Sequence, residues 1–140
     1  MATGLFGDGA AAVVMVGDER AQRMPVTGPD VVDTRSALYP DTESVIGFTA
    51  SETGFRIILT AQVSDVIEAY FGRDVTGFLG DNDLGLDDID TWIAHPGGPR
   101  VLEQFQSSLG VADGVFDHSW RSLAAVANLS SVSVLPISAK

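Results

Sequence analysis

Two side chains in this sequence could act together on a single reacting oxygen. His95 stands in Trp92-Ile93-Ala94-His95-Pro96-Gly97-Gly98-Pro99, after a short apolar stretch and before a turn rich in glycine and proline. Asn128 opens Asn128-Leu129-Ser130-Ser131, just after an apolar helical pattern. A neutral imidazole and a carboxamide can each offer an N–H to the same carbonyl oxygen, the donor set that stabilises an oxyanion. Each residue also has a plainer reading. A histidine in this place can cap or pack, and an asparagine after a helix commonly serves as its cap or as a turn residue. The chemical reading needs both residues at one point in space.

Other candidates are weaker. Cysteine is absent from the 140 residues, so this chain carries no disulfide, cysteine-ligated zinc, iron–sulfur cluster or cysteine nucleophile. Gly7-Asp8-Gly9-Ala10-Ala11-Ala12 fits a dinucleotide fingerprint on paper, but that motif needs a strand before it and a helix after it. Here an apparent strand follows, and the pattern reads as a tight turn with Asp8 bonding backbone amides. The acidic run from Asp81 to Asp90 fails as a calcium loop: counted from Asp81, glycine comes one place early, at Gly85, and Trp92 stands where the closing glutamate belongs. It reads as a solvated connection, and no metal site is expected. His118, between acidic neighbours, reads as structural.

Composition sets the outer limits. One domain of ordinary size is expected from 140 residues, of which 45% are hydrophobic, so a core is within reach. The formal charge of -11 argues against a nucleic-acid or anionic-membrane partner, both of which require clustered lysine and arginine. The apolar run Ala10–Val16 is too short for a membrane span, and the amino terminus lacks the basic start of a signal peptide. A cytoplasmic location is the resulting expectation.

These residues must be held by a scaffold, and the pattern predicts one. Ala10–Val16 reads as a buried strand, Val31 to Tyr39 and Val45 to Thr49 as strands flanking Pro40-Asp41, and Phe55–Leu59 as another. Val63, Val66, Ile67, Tyr70 and Phe71 recur at helical spacing, with Thr60 or Ser64 as cap. Thr91–Ala94 reads as a short buried strand leading into His95. A helix should start near Pro99, bury Val101, Leu102, Phe105 and Leu109, and stop at Gly110. A further helix from Ser119 through Ala127 would turn Trp120, Leu123, Ala124 and Ala127 inward. Strands alternating with helices predict an α/β layered domain.

Three blocks together resemble the type III polyketide synthases, the chalcone and stilbene synthase family of the thiolase superfamily: Gly4-Leu5-Phe6-Gly7-Asp8-Gly9-Ala10-Ala11-Ala12, Trp92-Ile93-Ala94-His95-Pro96-Gly97-Gly98-Pro99, and Asn128-Leu129-Ser130-Ser131. The stretch Val31 to Leu59 is most similar to the bacterial branch. The resemblance implies a layered α-β-α, thiolase-like half, namely the C-terminal lobe, incomplete at both ends. It runs to residue 135, with 136–140 as a divergent tail in which Pro136 would interrupt a helix.

By the same resemblance, His95 and Asn128 match the catalytic histidine and asparagine. Phe6 and Phe55 match two phenylalanines that gate the initiation cavity, Ser130 a residue near its wall, and Gly97, Gly98 and Arg100 the mouth that receives coenzyme A. The implied activity is acyl transfer: decarboxylative condensation of malonyl-CoA with an acyl-CoA starter held on a cysteine, without metal or organic cofactor. A His95 imidazolium would lower the pKa of that thiol. Because the cysteine belongs to an N-terminal half, the isolated chain is expected to be inactive, its partner being a cysteine-bearing lobe or a second copy in a homodimer. The alternative reading is a non-catalytic interaction or relic lobe that pairs with a separate N-terminal half or a full-length synthase.

Overall fold

The valine, isoleucine and aromatic spacing after Thr60 does fold as a helix. In the computed structural model, which describes residues 4–25 and 28–138, α1 is a single turn, Asp18–Ala21. A hairpin of β1 (Ile46–Ser51) and β2 (Gly54–Leu59) follows. Next, α2 (Gln62–Val66), a π-helical turn (Ile67–Phe71) and α3 (Gly72–Gly80) run on with right-handed helical backbone at each junction. Then come α4 (Pro99–Leu109), α5 (Asp117–Val126) and α6 (Val134–Ser138). Residues 1–3, on which the reading of the amino terminus partly rests, lie outside the described residues, as do parts of the Gln22–Pro29 loop and of the 136–140 tail.

The core forms where α4 crosses the π-helical turn and α5. Leu102, Leu109 and Phe116 are buried there, each contributing about 1.5–3 kcal/mol. Phe71 stacks on Phe105 with ring centres 4.3 Å apart, and Phe116 meets Phe105 at 6.4 Å and Trp92 at 6.1 Å. Ser108 donates its hydroxyl to the Ile67 carbonyl (3.4 Å), tying α4 to the widened turn. Gly72 sits at the crossing, where a Cβ would run into the Ser108 carbonyl oxygen. α4 starts with Pro99 in its first turn and ends at Gly110, whose φ of 64° suits a glycine C-cap.

The hairpin pairs Ile46 with Leu59 and Phe48 with Ile57 in antiparallel register. Both the N–H and the side chain of Thr60 donate to the Val45 carbonyl (3.1 and 3.2 Å), closing the hairpin's open end. Thr60 therefore terminates β2 rather than capping α2, whose N-cap is Ala61; Ser64 lies within the helix.

Three expected strands are absent. Ala10–Val16, Val31–Tyr39 and Thr91–Ala94 have no regular secondary structure and join no ladder. A strand needs neighbours for its N–H and C=O groups, and the hairpin is the only sheet among the described residues. Val14 and Leu38, both 94% exposed, show how little covers the first two segments. The third has a substitute: the Ser119 hydroxyl accepts from Ala94 N–H (3.1 Å) and donates to Ala94 C=O (2.7 Å). That use explains why Ser119 is buried inside α5 instead of capping it, the helix having begun at Asp117. Ala124 faces solvent, contrary to the expected inward stripe, and Ala127 lies beyond the helix end. Pro136 does not interrupt α6, because the helix starts only at Val134 and leaves the proline in its first turn.

Candidate functional site

His95 lies on the irregular segment between residues 91 and 98, fixed on both sides. Upstream is the Ser119 clamp on Ala94. Downstream, Gly97 N–H donates back to the His95 carbonyl (2.8 Å) around the fully buried Pro96. A bond from i+2 to i is an inverse γ-turn pattern, and proline's fixed φ suits its centre. His95 is an exposed residue, yet partial burial holds its imidazole below the ordinary pKa. The neutral form is therefore favoured, with one N–H to give.

Asn128 is held more tightly. Its backbone forms a parallel bridge with Phe6: Asn128 N–H donates to Leu5 C=O (2.9 Å), and Gly7 N–H donates to Asn128 C=O (3.0 Å). The side chain is buried, and Oδ1 accepts from Ser130 N–H (2.8 Å). Since a backbone N–H must face the amide oxygen, Nδ2 points the other way and donates to Gly97 C=O (3.2 Å). One hydrogen is used there, and the second is left for a ligand. Ala127 (φ 60°, ψ -160°) and Ser130 (φ 57°) flank Asn128 in conformations uncommon for residues with a Cβ. Strain of this kind, of order 1–3 kcal/mol, collects where side-chain direction matters.

The bridge also accounts for Gly7-Asp8-Gly9. A Cβ at Gly7 would collide with the Val126 carbonyl oxygen, and one at Gly9 would lie 2.8 Å from Leu129 Cδ1. The glycines let two backbones touch. No helix follows them, and the expected turn at a strand entrance is instead a bridge to Asn128.

His95, Gly97, Asn128, Ser130 and Phe6 line one cavity of about 760 Å³, within the range of small-molecule sites. Three expected residues stand elsewhere. Phe55 is 82% exposed on β2, edge-on to Phe48 at 6.4 Å, and it is Phe48 that lines the cavity. Phe55 shares the sheet face of Phe48 and Ile57 but pairs with Ala50, two residues nearer the hairpin turn, beyond the residues that line the cavity. Gly98 is buried under the start of α4 against Leu5, and Arg100 is exposed on its first turn. The sequence reading missed Tyr39, Phe48 and Ile57, and took Val101 and Phe105 as core when they also line the cavity.

His118 is exposed on α5, its ring nitrogen 3.3 Å from the Arg121 guanidinium, away from this cavity. Asp81 pairs with Arg35, whose guanidinium lies over the Phe78 ring.

Residues 30–140 match the family of chalcone and stilbene synthases, C-terminal domain. A 1,3,6,8-tetrahydroxynaphthalene synthase of Streptomyces peucetius subsp. caesius is 49% identical over 137 residues, covering 98% of this chain and 36% of that protein. An alpha-pyrone synthesis polyketide synthase-like protein of Mycobacterium tuberculosis is 37% identical over 132 residues, covering 94% of this chain and 33% of that one. The chain thus spans about a third of the length of the curated relatives it matches. Among solved structures, the 1,3,6,8-tetrahydroxynaphthalene synthase of Streptomyces coelicolor A3(2), a bacterial type III polyketide synthase, superposes with a TM-score of 0.68 and 29% identity, over 73% of this chain and 29% of that one.

Proposed function

Because this chain belongs to the chalcone and stilbene synthase family, as its C-terminal domain, we propose that it supplies the oxyanion-binding half of a type III polyketide synthase active site. The observation that carries this reading is the Gly97 carbonyl, hydrogen-bonded by the Asn128 carboxamide two residues from His95, which couples both donors to one wall of one cavity. Acyl-CoA and malonyl-CoA are the substrates, and the nucleophilic cysteine comes from an N-terminal lobe.

The chemistry follows from the donors. Loss of CO2 from a malonyl thioester leaves the bonding pair on carbon, delocalised onto the thioester oxygen as an enolate. The enolate carbon attacks the cysteine-bound acyl carbonyl, whose oxygen becomes an alkoxide until the carbonyl re-forms and the thiolate leaves. Both steps put negative charge on a former carbonyl oxygen. His95 N–H and the remaining Asn128 N–H stabilise it without reorganising, since Ser119, Pro96, Gly97 and Ser130 already fix them. Gly97, Gly98 and Arg100 are proposed to meet the coenzyme, Phe6 and Ser130 the acyl group. In the gating role assigned to Phe55, Phe48 acts at the cavity and Phe55 buttresses it. The named product of the 49% identical relative makes 1,3,6,8-tetrahydroxynaphthalene the product class to look for first.

The test is reconstitution with a cysteine-bearing N-terminal lobe, following CO2 release from malonyl-CoA and polyketide formation by mass spectrometry. His95→Ala and Asn128→Ala should each lower turnover about a hundredfold or more, and the chain alone should make no product. Undiminished turnover in both variants would refute the assignment.

A second reading, a lobe whose role is to dock on another chain, is favoured by its exposed apolar side chains. Val14, Met15, Val32 and Leu38 are each more than two-thirds exposed. It is separated from the first by whether a docked complex turns over.

A further inference from the structure

The segment from Leu38 to Phe48 supplies more of the cavity wall than any other stretch, yet up to Val45 it has no regular secondary structure. It runs as a turn through Pro40 and Asp41, the latter at φ 59°. The turn is closed by Thr42 Oγ1 donating to Tyr39 C=O (2.8 Å) and by Val45 N–H donating to Thr42 C=O (3.0 Å). These bonds are internal to the segment and hold it to nothing else.

Ahead of Val45, which Thr60 and the β1–β2 ladder hold, what docks the segment on the body is Tyr39. Its hydroxyl donates to Asp74 Oδ2 on α3 (2.5 Å), and its ring stacks on Tyr70 of the π-helical turn with centres 4.4 Å apart and planes 14° from parallel. Arg73 completes the seat, its guanidinium over the other partner ring at 5.3 Å and 3.1 Å from Asp74 Oδ1. The π-helical turn has its own cavity-lining residue, Ile67, so one side chain ties the irregular wall to the helical one. Burial, then the Asp74 hydrogen bond, pushes the Tyr39 hydroxyl up to about 12, while the same bond holds the Asp74 carboxyl below its ordinary value.

We propose that Tyr39 is a positioning residue for substrate size: pinned between Asp74 and Tyr70, it keeps the Leu38–Glu43 wall closed on the cavity and so caps the length of acyl chain accepted. This rests on reading the cavity as the acyl site. A wall held by its own ladder could not shift without unfolding. The Leu38–Glu43 part, ahead of Val45 and the β1 ladder, can shift when the Tyr39 latch opens, and in a cavity lined by apolar side chains each added methylene is discriminated about tenfold or more.

The experiment measures binding of a saturated acyl-CoA series of increasing length to the 140-residue chain by calorimetry, for wild type, Tyr39→Phe and Asp74→Ala, each with a thermal melt. Tyr39→Phe keeps the stacked ring and removes only the hydroxyl, so it should fold, and Asp74→Ala opens the same latch from the helix side. The expected result is that chains too long for the wild type bind about tenfold or more tighter to both variants, while short chains bind as before. The same length cutoff in all three proteins, with or without a lower melting temperature, overturns the latch and leaves the acyl-site reading standing. Failure of the wild type to bind any member of the series overturns both.

Discussion

The charge on His95 decides which half of the chemistry this chain brings by itself. Burial of part of the ring favours the neutral form, so the imidazolium that would acidify a neighbouring thiol is not the resting state of the chain alone. A thiolate brought close would reverse this, since an opposite charge favours the protonated ring. The NMR titration of the His95 ring should accordingly have its midpoint below the ordinary value of about 6.5, and should rise when a cysteine-bearing lobe is added. The linked stability has a definite sign. The unfolded chain takes up the proton first, so the contribution of His95 is full above about 6.5 and declines as pH falls toward the folded value. A midpoint at or above that of a short histidine peptide would remove the basis for the neutral donor. At the same scale, the reading of His95 and Asn128 from the sequence identified residue types that suit an oxyanion but could not say how the carboxamide turns. Ser130 N–H settles that.

At the scale of elements, the π-helical turn and α4 are what set the cavity's helical wall, and their crossing depends on a missing side chain. Gly72→Ala adds a Cβ where the Ser108 carbonyl already lies. The helix gains up to about 1 kcal/mol in propensity, but the overpacking costs about 1–3 kcal/mol, so a net destabilisation is expected. Gly77 on the same helix meets only the end of the Arg35 side chain, at 3.9 Å. Gly77→Ala should therefore stabilise by up to about 1 kcal/mol. Chemical denaturation of the two variants checks the pair: equal shifts in the same direction would show that the crossing tolerates a methyl group. The helices were legible from the sequence because their apolar period and their punctuation, Pro99 and Gly110, are local. The unpaired strands were misread because an extended, apolar run describes a strand only if something lies beside it.

For the whole molecule, exposed area is the telling quantity. The chain presents 10438 Å², whereas a compact monomer of its mass would present about 6,900 Å². Exposed apolar side chains contribute to it, among them Val13 to Val16, Val31, Val32 and Leu38, in runs that the sequence pattern marks for burial. Such surface attracts partners or copies. The chain alone should therefore bind an apolar dye strongly or migrate as an oligomer, and a cysteine-bearing lobe should suppress both. A monomer that leaves the dye dark and unfolds in one sharp step would contradict this.

The family, the helices after Thr60, from Pro99 and around Ser119, the hairpin strands and the pair of side chains suited to an oxyanion were legible in the sequence alone, since each rests on residue type, short period or a contiguous motif. Only the tertiary structure decided that Phe48 rather than Phe55 lines the cavity, that Gly7 and Gly9 serve a backbone contact, and that Tyr39 latches a wall. Those outcomes depend on which distant segments meet, and meeting is fixed by packing, bridge pairing and hydrogen bonds between residues far apart along the chain.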